Sequence, residues 1–192
     1  MAVPKKIVLV SGGNTGLGYE IIKALYASSR PYELILGTRT LSKGEAAVAQ
    51  LAAEVPKSAS TVNAIQLDVT SDASIEAAVA SITGTHGHLK ALINNAGVVF
   101  DGEISTGNTS IRDAFNTSWD TNVVGAHVLT SLAVPLLLKA PDPRILFMTS
   151  GTSSLAETEP ALWHKHPSSS WINASPDRGW PIAQRVPTTV HL

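Results

Sequence analysis

The chain contains no cysteine, has only three tyrosines, and carries few charges, with Asp, Glu, Lys and Arg making up 15% of its 192 residues. Without cysteine there are no disulfides and no thiolate metal sites. The net charge of −1 provides no basic footprint for nucleic acid and no polybasic patch for a membrane surface. No apolar run reaches the roughly 20 residues a membrane span needs. The nearest approach, residues 123–138, is interrupted by His127, Ser131 and Pro135, so buried packing is expected there, with self-association through this helix into a homo-oligomer as a further expectation. Met1-Ala2-Val3-Pro4-Lys5-Lys6 leads straight into an apolar stretch and leaves no room for a signal peptide, so a soluble, cytoplasmic protein is expected.

What the chain does have is a hydrophobic fraction of 44%, enough for a real core in one domain, and one informative loop. Ser11-Gly12-Gly13-Asn14-Thr15-Gly16-Leu17-Gly18 follows the β-branched run Ile7-Val8-Leu9-Val10 and precedes the amphipathic stretch Tyr19-Glu20-Ile21-Ile22-Lys23-Ala24-Leu25. The spacing predicts a strand, a glycine turn and a helix. Gly12 suits a backbone conformation closed to other residues, Gly16 a close approach of phosphate, and Gly18 tight packing of helix on strand. The first N–H groups of that helix would face a pyrophosphate. The competing possibility is a glycine-rich turn that binds nothing.

Further strands are predicted at 33–39, 62–67, 89–93 and 144–149. Helices are predicted from Ser42, in a capping-box spacing with Glu45, from Ser71 or Asp72, and over about 111–139 with a break near Asp120-Thr121-Asn122. Alternating strands and helices imply an α/β fold with a parallel sheet and right-handed crossovers. Gly12, Arg39, Asp68, Asn94 and Ser150 all fall at the carboxyl ends of strands, the side where ligands bind in such sheets.

The loop spacing Gly-x-x-x-Gly-x-Gly opened by Ser11, together with Asn94-Asn95-Ala96-Gly97 after the fourth strand, resembles the short-chain dehydrogenase/reductase family. The resemblance covers about Lys5 to Ser150. It implies a Rossmann-like, doubly wound sheet of order 3-2-1-4-5. It also implies a nicotinamide cofactor held by Ser11, Gly12, Asn14, Thr15, Gly16, Leu17, Gly18, Asp68, Val69, Asn94, Ala96 and Gly97, and a small-molecule carbonyl or alcohol substrate. Asp68 could equally be a loop or helix-cap residue. Arg39, beside Thr38, stands where an acid would favour NAD. An arginine there suits a 2′-phosphate, so NADP(H) is expected over NAD(H). By the same resemblance Ser150 would hydrogen-bond the substrate oxygen and Asn122 would hold a proton-relay water. Lys90 departs from the family's usual acid before the fourth strand, which implies altered pairing around the adenine side.

The family's Tyr-x-x-x-Lys pair, with the Tyr about a dozen residues after the serine, has no counterpart. Tyr19, Tyr26 and Tyr32 all lie near the first helix, and Trp163 stands where the Tyr is expected. A tyrosine needs such a lysine because its ordinary pKa of about 10 makes it a poor base at neutral pH. His164, Lys165 and His166 are the nearby substitutes. Pro160, Pro167, Pro176, Pro181 and Pro187 punctuate residues 151–192 with no sustained periodicity, so that stretch is expected to be an irregular tail after a dinucleotide-binding domain at 1–150, with the family's last strands missing or irregular. An NADP(H)-dependent oxidoreductase impaired in proton transfer is one expectation. A non-catalytic NADP(H)-binding module, or a truncated splice or gene-model product, is the other.

Overall fold

The computed structural model describes residues 5–150, so Trp163, His164, Lys165 and His166 lie outside the described residues. Five strands, β1 (Lys6–Ser11), β2 (Tyr32–Thr38), β3 (Thr61–Gln66), β4 (Ala91–Asn94) and β5 (Arg144–Phe147), form one sheet in the order β3-β2-β1-β4-β5. Every pairing is parallel, with Leu9 opposite Ile35 on one side of the central strand and opposite Leu92 on the other. Between them run α1 (Gly16–Tyr26), α2 (Leu41–Glu54) and α3 (Asp72–His86), and then α4 (Asp101–Ser105), α5 (Ile111–Trp119) and α6 (Ala126–Leu137). The described residues form two compact units: 5–98 with 120–148, which holds the sheet, and 99–119 with 149–150, which holds α4 and α5.

The sheet is apolar on both faces because a parallel sheet is covered twice. Successive side chains alternate, so Ile7, Leu9, Ile35 and Leu92 enter one core with Ile75, Ile82, Leu129 and Leu136 from α3 and α6. Val8, Val10, Leu34, Leu36 and Ile93 enter the other with Tyr19, Ile22, Ala47 and Leu51 from α1 and α2. This double burial explains why the strands read as continuous apolar runs. Leu9, Leu34, Leu36 and Leu92 are fully buried, each contributing about 1.5–3 kcal/mol.

The expected break in the 111–139 helix is a π segment, Asp120–Gly125, between α5 and α6. Leu129, Ala133, Leu136 and Leu137 of α6 are buried within the same chain, and no helix among the described residues is long and apolar enough to cross a membrane.

Two local expectations are corrected. The α2 N-cap is Thr40 rather than Ser42, and its side chain makes no cap hydrogen bond. Lys90 lies just before β4, at the amino end of the strands and away from the glycine loop. Its ammonium donates to the carbonyls of Pro141 and Asp142 and lies 3.6 Å from the Asp142 carboxylate. Its charge therefore holds the turn between α6 and β5 and has no part on the adenine side. Arg144, 3.1 Å from the same carboxylate, is the chief cause that holds the Asp142 carboxyl below its ordinary pKa, with Lys90 adding to it.

Candidate cofactor site

The glycine loop and the turn after β4 are built on one another. Ser11, at the end of β1, is buried. Its Oγ accepts the N–H groups of Asn95 and Ala96, both at 3.0 Å, and donates to the Ile93 carbonyl at 3.5 Å. In return, Asn95 Nδ2 donates to the Ser11 and Gly12 carbonyls at 3.0 and 3.2 Å. Gly18, in the first turn of α1, lies so close that a Cβ there would sit 2.2 Å from the Gly12 carbonyl oxygen. Helix α1 therefore starts directly over the end of the central strand, because residue 18 has no side chain.

Removal of the Ser11 hydroxyl leaves two partly buried N–H groups without their acceptor. Ser11→Ala is expected to lower stability by about 1–2 kcal/mol in urea unfolding, with the helix content of the native state unchanged.

The α1 N-terminus is arranged for an anion. Gly16 adopts φ +54, with open space where a side chain would point. Thr15 caps the helix without a side-chain hydrogen bond, and no acid occupies the first turn. Asn14, Thr15, Gly16 and Leu17 are at least partly exposed along this opening. A pyrophosphate fits this cradle because it supplies the acceptors that the leading N–H groups lack.

On one side of the loop, at the end of β2, the buried Thr38 hydroxyl donates to Asn14 Oδ1 at 3.1 Å and lies 3.3 Å from the Thr40 carbonyl. The next residue, Arg39, is exposed. After β3, Asp68 Oδ1 accepts from the Thr70 N–H at 3.0 Å and the Thr70 hydroxyl at 2.8 Å. Its carboxylate thus closes the turn into α3, whose cap is Ser71 accepting from the Ser74 N–H. Val69 is buried, and Gly125 of the π segment passes so close that a Cβ there would lie 2.3 Å from the Val69 carbonyl oxygen.

The far side of the turn after β4 is held by α6 and the π segment. Asn94 is buried, and its Nδ2 donates to Thr130 Oγ1 at 2.9 Å. Asn122 Oδ1 accepts the Val98 N–H at 2.8 Å while its Nδ2 donates to the Val98 carbonyl at 2.9 Å. Gly97 lies beside it, with room for a Cβ only 3.3 Å from Asn122 Oδ1. Both ends of the Asn122 amide therefore position the chain after Ala96 and Gly97.

The sheet unit accordingly brings Ser11, Gly12, Asn14, Thr15, Gly16, Leu17, Gly18, Arg39, Asp68, Val69, Asn94, Ala96, Gly97 and Asn122 to the carboxyl edge of its strands. Ser150 belongs to the other unit and is exposed. Asn95 and Thr130 are additional supports. Asn95 was visible as part of a motif but without a role, and nothing in the sequence pointed to Thr130.

The tyrosines of this unit are built into its structure. Tyr19 is buried in the core beneath α1 and α2; burial, with a smaller effect from the Glu54 carboxylate, pushes its pKa above the ordinary value. Tyr26 and Tyr32 pack against the same core. A raised pKa is the opposite of what a tyrosine proton shuttle at neutral pH requires.

Comparison with known proteins agrees with this geometry. The family model described as short chain dehydrogenase matches residues 6–161. The chain is 42% identical over 171 residues to the short-chain dehydrogenase/reductase tropE of Talaromyces stipitatus, covering 84% of this chain and 63% of that protein. It is 40% identical over 183 residues to eupG of a Phoma species, covering 94% of this chain and again 63% of the relative. Among solved structures, menthone neomenthol reductase from Mentha piperita superposes with a TM-score of 0.70 at 27% identity, covering 80% of this chain and 63% of the other. ElxO, solved with NADP bound, has a TM-score of 0.65 at 26% identity, covering 78% and 57%. The chain thus spans somewhat less than two thirds of the length of these relatives. With a glycine loop and helix N-terminus at the carboxyl edge of a 3-2-1-4-5 sheet and a family match over most of its length, the chain belongs to the short-chain dehydrogenase family.

Proposed function

We propose that residues 1–150 bind NADP(H) in preference to NAD(H), within an oxidoreductase of the carbonyl reductase or alcohol dehydrogenase type whose proton transfer is impaired in this chain. The observation that carries the cofactor half is the exposed Arg39 directly after β2, next to a Thr38 hydroxyl already fixed by Asn14. A guanidinium there offers paired donors to a 2′-phosphate, where an acidic residue would repel it. The NADP-bound ElxO supports the same reading, and the name of the menthone neomenthol reductase supports ketone reduction.

When bound, the nicotinamide supplies or accepts the hydride. The chain's own contribution would come from Ser150, donating a hydrogen bond to the substrate oxygen. It would also come from the π segment at Asn122, ordering a water. Because the Asn122 amide is engaged on both atoms by Val98, that water would be held by main-chain groups of the segment. No proton donor is assigned among the described residues, since Tyr19 is buried in the core, Tyr26 and Tyr32 pack against it, and Trp163 stands where the family's Tyr would be expected. The alternative, a binding module without turnover, is favoured by this last observation.

NADPH oxidation with a panel of small ketones separates the two. Slow oxidation above an enzyme-free blank, abolished in Ser150→Ala, is the expected result. Saturable NADPH binding without any turnover would establish the binding module instead, and binding of neither dinucleotide to the folded chain would overturn the cofactor reading.

A further inference from the structure

The Thr38 hydroxyl carries one proton and has two acceptors within reach, Asn14 Oδ1 at 3.1 Å and the Thr40 carbonyl at 3.3 Å. The Thr40 carbonyl is already engaged. It accepts the N–H groups of Lys43 at 3.0 Å and Gly44 at 3.3 Å in the first turn of α2, which occupy its two lone pairs. The proton therefore goes to Asn14, and the oxygen of that amide faces Thr38. The other end of the amide is left over. Asn14 Nδ2 makes no hydrogen bond among the described residues, and Asn14 is partly exposed on the glycine loop.

Thr38 is itself held from behind. It is 2% exposed, and its methyl is seated against Gly44, where a Cβ would lie 2.5 Å from Thr38 Cγ2. A β-branched side chain is stiff about its first torsion, so fixing the methyl fixes the hydroxyl. Rotating the hydroxyl away from Asn14 would lift the methyl out of the gap that Gly44 leaves. Gly44, Thr38 and Asn14 thus act in series, from α2 through the end of β2 to the glycine loop. Together they set which end of the Asn14 amide is available.

We propose that Thr38 is a positioning residue for cofactor choice: by engaging Asn14 Oδ1 it presents the Asn14 Nδ2 donors beside Arg39, toward the 2′ position of the adenosine ribose. The inference rests on the NADP(H) reading above. A phosphate takes such donors, whereas a free 2′-hydroxyl is matched by an acceptor, which the amide would offer only if turned over. Thr38 makes no contact of its own with the phosphate, because its hydroxyl is buried and its proton is committed. Arg39 differs, since its side chain is exposed and would meet the phosphate directly.

Parallel titrations of the 192-residue chain with NADPH and NADH test this with two pairs that differ at the hydroxyl. Thr38→Val keeps a methyl against Gly44 and is expected to weaken NADPH binding about tenfold, while changing NADH binding by less than about twofold. Thr38→Ser is expected to stay within about threefold of the unmodified chain, and Thr38→Ala to match Thr38→Val. The serine–alanine pair decides if valine disturbs the fold. Asn14→Ala is expected to cause a similar loss, and adding Thr38→Val to it no further loss, since Thr38 acts through Asn14. In the cofactor-free chain, nitrogen NMR is expected to show the Asn14 side-chain amide resonance displaced in Thr38→Val and in place in Thr38→Ser. An unchanged NADPH-to-NADH ratio in the hydroxyl-free variants, losses that multiply in the double variant, or an Asn14 resonance indifferent to the hydroxyl overturns the inference and leaves the NADP(H) reading standing. An unmodified chain that binds the two dinucleotides alike, or binds neither, overturns that reading and this inference with it.

Discussion

Gly18→Ala is expected to destabilise the chain by about 2–3 kcal/mol and to abolish dinucleotide binding, although alanine is the better helix former by about 1 kcal/mol. The added methyl would lie 2.2 Å from the Gly12 carbonyl oxygen and 2.5 Å from Asn95 Nδ2. Neither neighbour can retreat cheaply. The carbonyl belongs to the glycine loop, and the Asn95 amide is tied to Ser11 and Gly12. The clash is relieved only by lifting α1 off the loop, which moves the N–H groups that would cradle a phosphate. Gly84→Ala in α3 is the matched control, because a Cβ there meets nothing within 4 Å. It is expected to be neutral or to stabilise by up to about 1 kcal/mol. Urea unfolding gives both energies, and an NADPH fluorescence titration reads binding. Equal stability of the two variants would mean that the close contact is not rigid.

Arg39→Asp is expected to weaken NADPH binding about 100-fold while changing NADH binding by no more than about threefold. The asymmetry follows from chemistry at one atom, since the two cofactors differ only in the 2′-phosphate. Loss of a charge-assisted pair and gain of a repelling carboxylate act on the phosphorylated form alone, and an aspartate can accept a hydrogen bond from a free 2′-hydroxyl. Arg39 is exposed, so its replacement leaves the core intact and the unfolding midpoint is expected to stay where it was. The result is read as two dissociation constants from parallel titrations, repeated at high salt to show the screening a surface phosphate contact predicts. Equal loss of both cofactors would place Arg39 outside the 2′-phosphate position.

Much of the fold was legible because a parallel sheet, buried twice over, writes itself as short apolar runs between helical periods. The ends of β1, β2 and β4 fell close to their expected places, and the break near Asn122 fell within the π segment. Boundaries slipped where local signals competed. Ser42 has capping-box spacing, yet Thr40 caps α2, since the exit of β2 decides where the helix can begin. Lys90 was misplaced because a lysine before a strand does not declare which turn it will reach, and the carbonyls of Pro141 and Asp142 come to it only when β5 joins β4.

The sequence by itself determined the order of strands and helices, the glycine loop at the end of the first strand, and the arginine after the second. Each is a property of neighbours along the chain: the period of apolar residues, the absence of a Cβ, the charge at one position. Tertiary structure alone decided what those residues touch. Ser11 and Asn95 are 84 positions apart, yet their hydrogen bonds join the glycine loop to the turn after β4. Asn94 finds Thr130, and Asn122 finds Val98. Such partners are set by sheet register and helix packing. These are cooperative outcomes of burying two faces at once, and no local stretch of sequence contains them.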